Sequence, residues 1–259
     1  MNRIDRLFET KKKNILSVYF TAGYPAKEDT ATIIKSLEDS GTDLIEIGFP
    51  FSDPMADGPV IQESNKVALE NGMNLRELFR QVKALRKDTD MPLVLMGYLN
   101  PVLNMGMENF CKQCRDSGID GVILPDLPVE VFQQYKTLFD EYNLYNIFLT
   151  TPTTKKQRLE HILKDAKGFV YMVSSSSTTG RTGSAMDKLS HTKSIKKVRD
   201  DLPVMVGFGI DSREKFRLVC QHAEGGIIGS AFIKALGNTN GDLPTRIRSF
   251  IQSIRPSNT

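Results

Sequence analysis

Eight short, almost wholly apolar runs punctuate this chain, at 15–20, 44–47, 93–96, 121–124, 147–149, 169–173, 204–206 and 226–228. Each is too brief for a helix and is closed by Gly, Pro or Thr turns, as strands are. Between them lie stretches of helical period, at 29–40, 60–71, 75–87, 107–117, 129–142, 155–166, 188–199, 212–221 and 242–254. Strands that are apolar on both faces and joined by helical crossovers imply a parallel sheet covered by helices. Eight such units in 259 residues is the count that closes a (β/α)8 TIM barrel. Ile4, Leu7 and Phe8 add an amphipathic N-terminal helix ahead of the first strand. No linker or composition shift divides the chain, so 1–259 is expected to be a single barrel domain. A doubly wound sheet fits less well, because no G-x-G-x-x-G follows the first strand.

In such a barrel the chemistry sits at the C-terminal ends of the strands. The second strand and its loop read D-L-I-E-I-G-F-P-F-S-D-P-M-A-D-G-P-V-I-Q over 43–62. Side chains alternate along a strand, so Glu46 points opposite to Ile45 and Ile47, into the inner face. A carboxylate there must be hydrogen-bonded, paired or neutral. Asp53 and Asp57 follow in a loop shaped by Pro50, Pro54, Gly58 and Pro59. One carboxylate on a rigid strand and two on the next loop suit acid/base work, with the surroundings setting their pKa values apart. The bland alternative is a Glu46 salt bridge and a merely turn-shaping pair of aspartates.

Glycines gather at the last strand ends, at Gly180, Gly207-Phe-Gly209 and Gly229-Ser230, the last opening a short helical segment at 230–236. Backbone N–H groups freed by glycine and a helix N-terminus favour an anion, so the expected ligand carries a phosphate. There is no G-x-x-x-x-G-K loop, which argues against an NTPase. The long polar loop from Ser174 to Ser184 reads as a lid over the substrate, with Arg181 its exposed protease site.

Charge and cysteine use exclude other classes. A net charge of +3 from 34 basic and 31 acidic residues, with lysines scattered and no interleaved aromatics, gives no nucleic-acid footprint. No apolar run approaches the ~20 residues of a membrane helix. The polar start carries no secretory or lipidation signal, and a cytoplasmic protein is expected. Cys111-Lys-Gln-Cys114 has redox spacing but lies in a helical pattern with no second pair for zinc. The three histidines, His161, His191 and His222, fall in three helical stretches where surface positions are expected, and they offer no metal site.

The acidic segment, with T-A-G-Y-P before it and G-F-G-I and I-I-G-S-A after it, resembles the α subunit of tryptophan synthase over essentially the whole length. The resemblance implies retro-aldol cleavage of indole-3-glycerol phosphate to indole and glyceraldehyde 3-phosphate without metal or organic cofactor. It also implies a pyridoxal-phosphate-dependent β subunit that receives the indole within an αββα assembly. By position, Glu46 resembles the general acid/base, Asp57 the carboxylate that binds the indole N–H, and Tyr171 an active-site tyrosine. Tyr19, Met96 and Phe208 match the indole pocket; Gly180, Gly209, Gly229 and Ser230 match the phosphate site; Thr179 matches the lid threonine. Asp53, Pro54 and the loop 125–128 match surfaces facing the β subunit. The lid departs from the common S-R-S-G-V-T-G, reading Ser174-Ser-Ser-Ser-Thr-Thr-Gly180. Other readings are a sugar-phosphate isomerase or epimerase, a non-catalytic partner of the β subunit, and a stand-alone indole-releasing lyase.

Overall fold

The computed structural model describes residues 1–173, 189, 191–207 and 209–255. Its strands are β1 (Ile15–Thr21), β2 (Leu44–Gly48), β3 (Leu93–Met96), β4 (Gly121–Ile123), β5 (Tyr145–Asn146), β6 (Leu149–Thr150), β7 (Val170–Val173), β8 (Val204–Gly207) and β9 (Gly225–Ile228). All pairings are parallel, in the order β5-β4-β3-β2-β1-β9-β8-β7-β6. The two ends of that order, β5 and β6, are pieces of one continuous segment, the fifth strand expected from the sequence. Between them the Ile147 N–H donates to Val122 O at 2.8 Å, and the Tyr171 N–H donates to Phe148 O at 2.9 Å. Both ladders therefore run through the gap, and the sheet closes on itself as an eight-unit barrel. The expected strand at 147–149 is longer and divided because its first half pairs on one side and its second half on the other.

Strand alternation sorts the core into two shells. Inward-facing Ile15, Leu44, Val94, Ile123, Ile147, Phe169, Met205 and Ile227 form one cluster inside the barrel. Outward-facing residues such as Val18, Phe20, Ile45, Ile47, Leu95 and Val206 form the larger cluster beneath the helices. The inner cluster is completed by Ile4 and Phe8 of helix α1 (Arg3–Thr10), which closes the N-terminal end of the barrel. Asn2 caps α1 by accepting from the Ile4 N–H, and its Nδ2 donates to Asp120 O and Asn143 O. At that same end Asp43 gathers the Lys11 ammonium at 2.6 Å, the Leu16 N–H at 2.9 Å and the Arg255 guanidinium at 2.9 Å. One carboxylate thus ties the exit of the first helix to the last described residue.

Three local expectations are revised. A helix, Leu99–Met105, occupies the stretch between the strand at 93–96 and the helix at 107–117, where none was expected; Pro101 is tolerated there because the first turn's N–H groups need no helical partner. His191, on the helix His191–Val198, is 7% exposed rather than on the surface, and burial holds its pKa below the ordinary value. His222 lies just after the helix Arg213–Cys220, not within it. The cysteines are all free and buried, Cys111 and Cys114 on the helix Met107–Ser117, as their pattern suggested. Among the described residues no cluster of His, Cys, Asp or Glu is arranged to hold a metal, and no helix is long and apolar enough to cross a membrane.

Candidate active site

Above the apolar layer the inner face turns polar. Glu46, in the middle of β2, is 0% exposed, and its Oε1 accepts from the Ser17 hydroxyl on β1 at 2.7 Å. Its Oε2 is equally buried and has no hydrogen-bond partner among the described residues. Burial is the dominant influence and the serine only partly opposes it, so the Glu46 pKa is pushed up to about 7. A carboxyl so placed divides its time between the two protonation states near neutrality, which a group that must both give and take a proton requires.

Two tyrosines share this layer. Tyr19 is the register partner of Glu46 across the β1/β2 ladder, and its hydroxyl lies 3.4 Å from Thr21 Oγ1. Tyr171 projects from β7, opposite Met205 in the β7/β8 register. Burial, reinforced by the nearby carboxylates Glu46 and Asp57, holds both phenols above their ordinary range, so they stay neutral hydroxyls. Glycines at the strand ends make room for them. A Cβ at Gly48 would sit 2.3 Å from the Tyr19 hydroxyl, and one at Gly207 would sit 2.3 Å from that of Tyr171. Both glycines are needed for close approach rather than for an unusual backbone.

Asp57 enters from the loop between β2 and the helix Pro59–Glu70, which begins with Gly58 as cap and Pro59 in its first turn. That loop is held from both sides: the Phe51 N–H donates to Asn65 Oδ1 at 3.0 Å, and Gln62 Nε2 donates to Asp57 O at 2.9 Å. Tyr98, stacked on Phe51 with ring centroids 5.2 Å apart, accepts from the Ala56 N–H and donates its hydroxyl to Asp57 Oδ2 at 3.1 Å. Burial raises the Asp57 pKa and the Tyr98 bond works against that rise. Tyr19, Asp57 and Met96 line one small cavity together with Phe49, Asn65 and Tyr98. The structure therefore brings four expected residues, Glu46, Asp57, Tyr19 and Tyr171, into mutual electrostatic range, with Met96 lining the same cavity as Tyr19 and Asp57.

Gly229 continues this wall: a Cβ there would meet the Tyr19 ring at 3.6 Å, and the residue precedes the helix Ser230–Leu236 that Ser230 opens. Gly209 has φ +56°, a left-handed conformation that favours glycine. Thr179, Gly180, the expected lid Ser174 to Ser184 with Arg181, and Phe208 lie outside the described residues. Ser17, Asn65 and Tyr98 were not singled out from the sequence. A polar residue two before Tyr19 on the same strand face was the available sign for Ser17, and a tyrosine at the C-terminal end of β3 was the sign for Tyr98.

Comparison with known proteins bears on this arrangement. The family model described as tryptophan synthase alpha chain matches residues 6–256. The chain belongs to the tryptophan synthase alpha chain family. It is 51% identical to the tryptophan synthase alpha chain of Flavobacterium psychrophilum over 98% of this chain and 100% of that one. It is 49% identical to that of Christiangramia forsetii over 98% and 99%. Among solved structures, the tryptophan synthase alpha chain of Legionella pneumophila matches with a TM-score of 0.88 and 34% identity, covering 98% of this chain and 96% of that chain. A chain of the tryptophan synthase complex of Pyrococcus furiosus matches with a TM-score of 0.85 and 34% identity, covering 94% and 98%. Alpha chains of this family are lyases that cleave indole-3-glycerol phosphate to indole and glyceraldehyde 3-phosphate and pass the indole to a β subunit for tryptophan synthesis.

Proposed function

We propose that in this tryptophan synthase alpha chain Glu46 carries the proton and Asp57 stabilises the charge in the cleavage of indole-3-glycerol phosphate. The observation that supports it best is the enclosed Glu46 carboxyl with its pKa pushed up to about 7 and one oxygen left without a partner. Protonated Glu46 gives its proton to the indole ring carbon that bears the glycerol chain. Positive charge then spreads to the ring nitrogen, whose N–H donates to the Asp57 carboxylate. Ionised Glu46 takes the proton of the adjacent glycerol hydroxyl while the carbon–carbon bond breaks, leaving indole and an aldehyde. The same carboxyl ends as it began, so no net proton is consumed and no metal or organic cofactor is needed.

Tyr171 offers a neutral hydroxyl beside Glu46, while Tyr19, Met96 and Phe208 flank the indole ring. Gly180, Gly209, Gly229 and Ser230 hold the phosphate largely through backbone N–H groups, and Thr179 carries the lid to the Asp57 loop. Exposed Asp53, with Pro54 and the loop 125–128, belongs to the surface that meets the β subunit of an α2β2 tetramer. Pyridoxal phosphate belongs to that partner. The chain works as one domain over 1–259, in the cytoplasm.

Indole release from indole-3-glycerol phosphate, with and without a cognate β subunit, tests this reading. Glu46→Gln and Asp57→Ala are each expected to lose at least about 10²-fold in kcat, the scale of a general acid/base or of a preorganised charge. Release that survives in Glu46→Gln would overturn the assignment.

A further inference from the structure

Among the described residues the proton-carrying carboxyl has a single hydrogen bond, and it comes from a residue that the reading above leaves without a role. Ser17 lies on β1, two residues before Tyr19 on the same inward face, and is 0% exposed. Its Oγ donates to Glu46 Oε1 at 2.7 Å. Glu46 Oε2, buried to the same degree, receives no hydrogen bond from the described residues. The two oxygens of one carboxyl are therefore chemically distinct.

We infer that Ser17 is a positioning residue for catalysis: it fixes Glu46 Oε1 as a permanent acceptor, so that the mobile proton is carried by Oε2. The inference rests on the assignment of Glu46 as the acid/base. A serine hydroxyl bound to Oε1 is compatible with both states of the cycle. When Glu46 is protonated, Oε1 remains the carbonyl-like oxygen and Oε2 bears the proton; when Glu46 is ionised, the same bond stabilises the anion. Without the hydroxyl the carboxyl can turn about its terminal torsion, which is broad and two-fold, and present either oxygen to the substrate. Proton transfer depends on the donor atom lying within hydrogen-bond reach of the reacting carbon, so loss of that orientation falls on kcat rather than on binding.

The bond also restrains the carboxyl's affinity for its proton, against the burial that raises it. Among the described residues the titratable groups beside Glu46 are Tyr19 on β1 and Tyr171 on β7, and both tyrosines also feel Asp57 on the loop. Both tyrosines stay neutral through the working range, which leaves Asp57, among the described residues, as the group whose titration must be separated.

The test follows Glu46 directly. Full-length protein labelled with 13C at glutamate carboxyls is titrated as wild type, Ser17→Ala and Ser17→Thr, with Glu46 identified by the signal lost in Glu46→Gln. Indole release is measured across pH on the same proteins, in an Asp57→Asn background as well as the native one for the titration. In Ser17→Ala the Glu46 midpoint is expected to move up by about one pH unit, the scale of a lost hydrogen bond to a charged group. Its kcat is expected to fall about tenfold, with KM held within about twofold. Ser17→Thr, which keeps the hydroxyl, restores both. An unmoved Glu46 midpoint, or a Ser17→Ala loss that appears in KM alone, overturns the inference while leaving Glu46 as acid/base. Full activity in Glu46→Gln overturns both, and the titration then reports only a structural bond.

Discussion

A carboxyl that is useful because it is buried is also a burden to the fold. Glu46 has an ordinary pKa of 4.5 and about 7 in the folded protein. Below about pH 4.5 it is neutral in both folded and unfolded chains and costs nothing; between about 4.5 and 7 only the unfolded chain ionises, so stability falls; above about 7 the whole cost, about 3 kcal/mol, is in place. Glu46→Gln removes that pH dependence. Urea unfolding at pH 4 and pH 8 is expected to show the variant gaining about 3 kcal/mol on the wild type between the two. Tyr98 is the other residue on which a single atom matters. Tyr98→Phe deletes the donor to Asp57 Oδ2 and leaves the Ala56 N–H without its acceptor. The Asp57 pKa is expected to rise further, and kcat/KM for indole release to fall about tenfold, the scale of one lost bond to a charged group. The acidic segment was legible because carboxylates in an apolar strand and its loop are rare in a purely structural context. Ser17 and Tyr98 were not, since one serine in a strand or one tyrosine after it has no meaning until the partner atom is known.

At the scale of elements, position along the barrel axis separates the two tasks of the chain. Helix α1 plugs the N-terminal end, and Ile4 is 0% exposed within the inner cluster. Ile4→Ala is expected to cost about 2–4 kcal/mol and lower Tm, while kcat of indole release stays unchanged because the polar layer is at the other end. Gly207 is the converse case. An alanine Cβ there collides with the Tyr171 hydroxyl, so Gly207→Ala is expected to keep its far-ultraviolet circular dichroism and lose about tenfold in kcat/KM. Element identity followed from periodicity, which local sequence carries in full: the strands and most helices stand where the apolar rhythm put them. What escaped was the division of the fifth strand and the helix Leu99–Met105. The first depends on which neighbours pair with each half, and the second on a proline that sits in the one turn where it does no harm.

For the molecule as a whole, the packing of the helices onto the outside of the barrel hides every described thiol. Cys111 is pushed up to about 12 and Cys220 to about 11 by burial, and all three cysteines are free. Reaction with a thiol reagent at neutral pH is expected to proceed at the rate of unfolding, and to give three equivalents at once in denaturant. The barrel was legible from the count of units, but the clamp on Asp43 was not, because Asp43 lies in a short turn and its partners are Lys11 and Arg255. That clamp has a topological meaning. With Lys11 at the exit of α1, the Leu16 N–H of β1 and Arg255 after the helix Leu243–Ile254 all held on one carboxylate beside the opening of β2, segments far apart along the chain share one knot. A change at Asp43 is then felt in all of them at once, at the end of the barrel opposite the polar layer.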